Sequence, residues 1–118
     1  MADKYLHQQL IPSAATETTI YTVPAANTAI IKSLRVTNAD NNPADISVKQ
    51  FDVSAGTSST VFLYKEQALA ADATVDVFGG VPCILETGNL LKVTSSQANA
   101  SFYLSYLEVD RDWYSGHN

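Results

Sequence analysis

The stretch "ETTIYTVPAANTAIIKSLRVTNADNNPADISVKQFDV", residues 17–53, decides the fold. Its apolar residues recur every second position, and Val, Ile and Thr are frequent. Both features favour half-buried strands over helices. "PAAN" and "NADNNP" interrupt the pattern with residues that cap their own backbone or tolerate a left-handed φ, so each reads as a corner. The first strand is expected over residues 18–23, closed by Pro24. In the next, residues 28–38, Ile30, Leu34 and Val36 face one way and Ser33, Arg35 and Thr37 the other. Lys32 falls on the apolar side of that count, so it snorkels at an edge or a bulge shifts the register. In residues 45–53, Ile46 and Val48 share one face while Phe51 and Val53 share the opposite one. That phase change places a bulge near Lys49 and Gln50, or takes the strand between two sheets.

Working outward, residues 59–66, 73–78, 83–85, 90–95 and 101–109 read as further strands, and "QALAADA" as at most one turn of helix. Seven to eight short strands spaced by about ten residues point to an all-β sandwich or jelly roll. In the last strand Phe102, Leu104 and Tyr106 point one way, and Tyr103, Leu107 and Val109 the other. Such a doubly apolar strand is central, or covered on its outer side by another subunit. The chain then divides into an N-terminal arm (residues 1–16), a β-sandwich domain (17–109) and a C-terminal arm (110–118). In the arms Tyr5, Leu10, Ile11, Trp113 and Tyr114 are the candidate anchors for a partner protein.

The chain has 118 residues, room for one domain, and a net charge of −5 with seven Lys and Arg in total. Too few cations are present to neutralise a phosphate backbone or an anionic bilayer, so neither nucleic acid nor membrane is expected as a partner. No apolar run reaches the ~18 residues of a membrane helix. The opening "MADKYLHQQLIPS" carries acidic and polar groups where a signal peptide has its apolar stretch, and Cys83 has no second cysteine to pair with. Synthesis in a cytoplasm is therefore expected.

Chemistry has few footholds. His7 and His117 both lie in the arms, away from any nucleophile, and Cys83 in "VPCIL" reads as a buried structural thiol. Asp72, Asp76, Glu86 and Glu108 form no evident pair for sugar hydrolysis. Asn38, Asp40 and Asn42 alternate as calcium ligands do, yet the loop lacks the central Gly and distant Glu of an EF-hand and reads first as a turn. "NAS" at Asn99 matches a glycosylation sequon and reads as a turn as well. Tyr21, Tyr64, Tyr103 and Tyr106 are the aromatics from which a sugar-binding platform would be built, with core or interface packing the first reading. No catalytic group, metal site or cofactor is expected.

One resemblance adds to this. "YTVPA" at residues 21–25, a strand ending in Asn38, the turn-and-strand of residues 85–93, and residues 102–108 with Glu108 near the strand end resemble small virion proteins of tailed bacteriophages. The likeness covers residues 18–109, and its motifs are turns and strand edges. It departs at "ETGN", residues 86–89, where the family often has Gly-Asp, which touches turn geometry only. The resemblance implies a non-enzymatic virion protein made in the bacterial host cytoplasm. It would be a capsid decoration (cement) subunit or a tail-, neck- or fibre-associated one. Its partners would be the major capsid protein or tail proteins, and it would form a homo-oligomer, with a trimer the first expectation.

Overall fold

A computed structural model describes residues 4–52 and 59–110. The chain is all-β. Among the described residues nine strands run in order: β1 (Lys4–Leu10), β2 (Thr18–Thr22), β3 (Asn27–Asn38), β4 (Ala44–Asp52), β5 (Ser59–Leu69), β6 (Thr74–Asp76), β7 (Cys83–Leu85), β8 (Leu90–Ser95) and β9 (Ala100–Asp110). They form two antiparallel sheets. Sheet A has the order β1-β9-β3-β6, with β7 also paired to β3; sheet B has the order β2-β8-β4-β5. From β1 to β4, and again from β7 to β9, successive strands alternate between sheets, as in a jelly roll.

The core lies between the sheets and follows the period of two. Along β9 the even residues from Ala100 to Glu108 are buried, and the odd ones stay half-open. On β8, Leu91 and Val93 are fully buried, as are Ala44, Ile46 and Val48 on β4. Ser95 Oγ, likewise buried, donates to the Gln97 carbonyl, so its hydroxyl is satisfied inside the turn.

Bulges adjust this alternation on three strands. On β3, Ile31 pairs with Tyr106 but Ser33 pairs with Ser105, so Lys32 is the extra residue, and it is exposed. A lysine in a bulge reaches water while Ile31 and Leu34, on either side of it, both turn inward. This corrects the facing of Ile30, which lies outside the core face while Ala29 and Ile31 hold it. On β2, Ile20 is the extra residue, and both it and Tyr21 reach the core. The third irregularity differs from expectation. β4 keeps one register against β8 from Ile46 to Phe51. The extra residues sit on β5, where the partners of Ile46, Val48 and Lys49 step from Gln67 to Tyr64 to Phe62. Phe51 faces outward because of where it falls in β4, without any phase change.

Two further expectations change. "QALAADA" forms no helical turn: β5 continues through Leu69, and the chain turns at Ala71 and Asp72, the latter at φ +60°. The segment counted as an N-terminal arm is built into the fold over most of its length. Lys4–Leu10 pairs along β9 in unbroken register, Pro12 is buried, and the Ala15 N–H donates to the Ser95 carbonyl at 2.7 Å. The cause is the far side of β9, whose main-chain groups need partners that β1 supplies. Residues 111–118, with Trp113 and Tyr114, lie outside the described residues.

Candidate docking surfaces

A buried hydrogen bond ties the two sheets together, and their outer faces are the places where a partner can sit. Tyr21 Oη, on sheet B, donates to Glu108 Oε2, on sheet A, at 2.6 Å in a buried setting. The two rings of Tyr21 and Tyr106 lie 4.3 Å apart and tilted, and Gln8 Nε2 on β1 donates to Tyr106 Oη at 3.0 Å. Burial, and then the hydrogen bond to Glu108, push the Tyr21 phenol well above its usual range. Tyr21 and Tyr106 are 6% and 3% exposed, so neither can belong to a sugar-binding platform. Tyr64 is half-buried against the core.

The Asn38 side chain is fully buried. Its Nδ2 donates to the carbonyls of Asn42, Leu69 and Ala70 at 2.8, 3.1 and 3.3 Å, and its Oδ1 accepts from the Asp40 N–H at 3.0 Å. Asp40 Oδ1 in turn accepts from the Asn42 N–H at 3.1 Å. Asn38 Oδ1 and Asp40 Oδ1 thus accept bonds that close the turn, while Asn38 Nδ2 ties it to the end of β5. Among the described residues no three His, Cys, Asp or Glu side chains converge as metal ligands.

The remaining chemical candidates stay apart. His7 stacks on Tyr103, ring centroids 5.3 Å apart and 6° from parallel. Cys83 is half-buried, and burial raises its thiol pKa. Asp76 Oδ1 accepts from the Phe78 N–H and closes the turn into Gly79 and Gly80, both at positive φ. Glu108 is taken by Tyr21. Asn99 occupies a left-handed turn position at φ +68°, just before β9.

The outer face of sheet A carries the most distinctive surface. Register places Tyr5 beside Leu107, Leu107 beside Ile30, and Ile30 beside Ile84. The four side chains form one apolar row across β1, β9, β3 and β7. Tyr5 is 77% exposed and Ile84 54%, while Ile30 and Leu107 are half-buried by their neighbours. Val81, 68% exposed, lies three residues before Ile84. Farther along the same face, Tyr103 is flanked by His7 and by the Arg35 guanidinium, 5.3 Å from the ring centroid. Of the expected anchors, Tyr5 belongs to the row, Ile11 is 63% exposed beyond the end of β1, and Leu10 packs against the core instead. Ile84 and Ile30 were not among the expected contact residues. The doubly apolar last strand was the one signal pointing to this face.

Sheet B presents a different outer face. Lys49 and Lys92 are direct cross-strand neighbours. Each cation rests on an aromatic ring: Lys49 and Lys65 at 4.9 and 5.1 Å from the Phe62 centroid, Lys92 at 5.1 Å from that of Phe51. Lys49 also pairs with Glu17 at 2.8 Å. Three of the chain's seven basic residues are gathered here, beside an open groove of about 330 Å³ lined in part by Asp45, Ser47 and Thr94.

No protein-family model and no curated protein matches the chain. Solved structures do. It is similar to a protein of the disulfide-linked pili that are Bacillus endospore appendages, with a TM-score of 0.53 and 11% identity, covering 91% of this chain and 84% of that one. It is also similar to the protein of the infectious bursal disease virus T13 particle (TM-score 0.57, 9% identity, 90% of this chain and 30% of that one). The T=1 particles derived from the same virus give 0.58, 8%, 90% and 31%. The chain spans less than a third of those viral chains. At such identities the likeness is one of fold: the sandwich seen here is also built by proteins of a pilus and of icosahedral virus particles.

Proposed function

We propose that the chain is a non-enzymatic structural subunit of a bacteriophage particle, a capsid decoration (cement) protein that docks on the major capsid protein. The observation that carries this reading is the apolar row Tyr5–Leu107–Ile30–Ile84, open at both ends on the outer face of sheet A. A band of that kind spanning a sheet marks a protein contact surface. The shared fold with virus-particle and pilus proteins supports the same reading, as does the resemblance of residues 18–109 to tailed-phage virion proteins. Tyr5 and Ile11 are the described arm residues that remain open to a partner, and Trp113 and Tyr114 would add to them.

The test is the copy number per particle, by quantitative mass spectrometry of purified virions, with an Ile84→Asp variant run alongside. Hundreds of parent copies, and loss of the variant from particles, are expected of a decoration subunit. A few dozen copies or fewer would move the protein to the tail, neck or fibres. Absence from virions would overturn the proposal. Self-association belongs to the proposal too. A trimer is the general expectation for such appendages, whereas the edge of sheet A favours pairing by twos.

A further inference from the structure

Five edge strands border the two sheets, and four of them are closed to further pairing. β6 and β7 are three residues each. β2 is five residues long, broken by its bulge at Ile20 and followed by Pro24. β5 is long, but it is bulged twice, holds Glu66 at φ +46° and carries Lys65. Short length, bulges and lysines are the devices by which natural edges refuse another strand. β1 has none of them in its interior. Its seven residues pair with β9 without a register shift, none has a positive φ, and its one charge is Lys4 at the start. Among the described residues no strand pairs with β1 on the side away from β9, where alternate N–H and C=O groups point outward as on any antiparallel edge.

We propose that this edge is where a second copy of the chain adds, β1 against β1, antiparallel across a two-fold axis at His7. The register follows from the strand itself. Centring on His7 pairs all seven residues: Lys4 with Leu10 of the partner subunit, Tyr5 with Gln9 of the partner subunit, and Leu6 with Gln8 of the partner subunit. It also keeps residues of the outer face opposite residues of the outer face, which a shift by one would not. Two further observations favour a copy over a foreign strand. A two-fold contact uses the same patch on both sides and needs no second surface. And the chain carries a net charge of −5, yet Lys4–Leu10 contains no carboxylate, so two copies meet there without bringing acids together. The result is a continuous sheet in which the apolar rows of both copies lie on one side, and the open faces of Tyr5 and Leu6 gain neighbours. The inference goes beyond the virion reading, since it holds or fails in the purified chain without particles.

The experiment is sedimentation equilibrium of the full chain over a micromolar series, with designed charges. Tyr5→Lys combined with Gln9→Lys sets lysine opposite lysine at two places across the axis and is expected to weaken the dimer about tenfold or more. Tyr5→Lys combined with Gln9→Glu sets opposite charges at the same two places and is expected to recover most of the loss. Within one strand these two positions are ~13 Å apart, so the recovery cannot arise inside a monomer. His7→Cys in a Cys83→Ser background is expected to form a disulfide-linked dimer on mild oxidation, whereas Lys4→Cys is not. A parent that stays monomeric throughout the series overturns the proposal and leaves the edge to a different chain. So does a dimer indifferent to all these changes, which would place the contact elsewhere.

Discussion

Changing Asn38 to Asp separates a turn bolt from a cation loop with a single atom. In the parent, the two Nδ2 hydrogens are shared among three carbonyls, and the residue is fully buried. Asp puts an oxygen where those hydrogens were, facing the carbonyls of Asn42, Leu69 and Ala70. Each lost bond is worth about 1 kcal/mol net, and the carbonyls left behind and the buried carboxylate add to that. The expected cost near neutral pH is about 3–5 kcal/mol. A domain of this size holds only about 5–15 kcal/mol in all. In urea the midpoint should fall by about 2 M at unchanged slope. The sign with pH follows from the site. Facing carbonyls, the new carboxyl keeps its proton longer in the folded than in the unfolded chain, so its folded pKa is raised. The deficit should be smallest below pH about 3, where both states are protonated, and grow as pH rises through the unfolded pKa of about 3.9 and only the unfolded state ionises. The assay is urea unfolding at acidic and neutral pH, with and without millimolar calcium. A variant as stable as the parent at neutral pH, or one that calcium stabilises more than the parent, would refute the reasoning and make the loop a ligand cradle.

Two other predictions concern the inside of the sandwich. Tyr21→Phe removes the donor from the buried Glu108 carboxylate and should cost about 1.5–3 kcal/mol, read by calorimetry as a fall in Tm of roughly 6–15 °C. Because the folded pKa of Tyr21 is raised, the parent should be fully stabilised below pH about 10 and lose up to about 1.4 kcal/mol per pH unit above it; the Phe variant should lose less steeply. Tyr106, raised chiefly by its own burial, keeps some alkaline sensitivity in that variant. Half-burial raises the Cys83 pKa, so its alkylation at mildly alkaline pH should be about tenfold or more slower than in urea, and equal rates would mean an open thiol.

How much of this could be read from the sequence depended on whether one face of a strand is buried. β8 and β9 were legible because their alternation is strict, and Lys32 was legible because a charge cannot sit in a core face without a bulge. β4 misled because Phe51, a large apolar residue, looks outward to pack with Lys92; hydrophobicity alone does not distinguish a core from a cation–aromatic contact. β1 was missed since neither of its faces is buried, and "HQQ" gives no period to detect. Its only cause is the open side of β9, a strand almost a hundred residues away. The outer row was half visible, in Tyr5 and Leu107. Ile84 joins it only through register with Ile30, which no local pattern reveals. Asn38 was read first as part of a turn, and its hydrogen bonds to the end of β5 are what local sequence could not show.

The place of β9 in sheet A has a consequence for the way the protein is made. It is the last of the described strands in chain order, yet it lies between β1 and β3, and its partners fall within residues 4–38. Sheet B waits in the same manner, since β8 joins β2 to β4. Sheet A cannot be completed before β9 has been made, nor sheet B before β8. Until then the edge of β3 that takes β9 stands open to neighbouring chains, while β6 and β7 are already available for its other edge. A protein built this way favours completing synthesis quickly, and a message cut short before β9 would yield an aggregating fragment rather than a smaller working one.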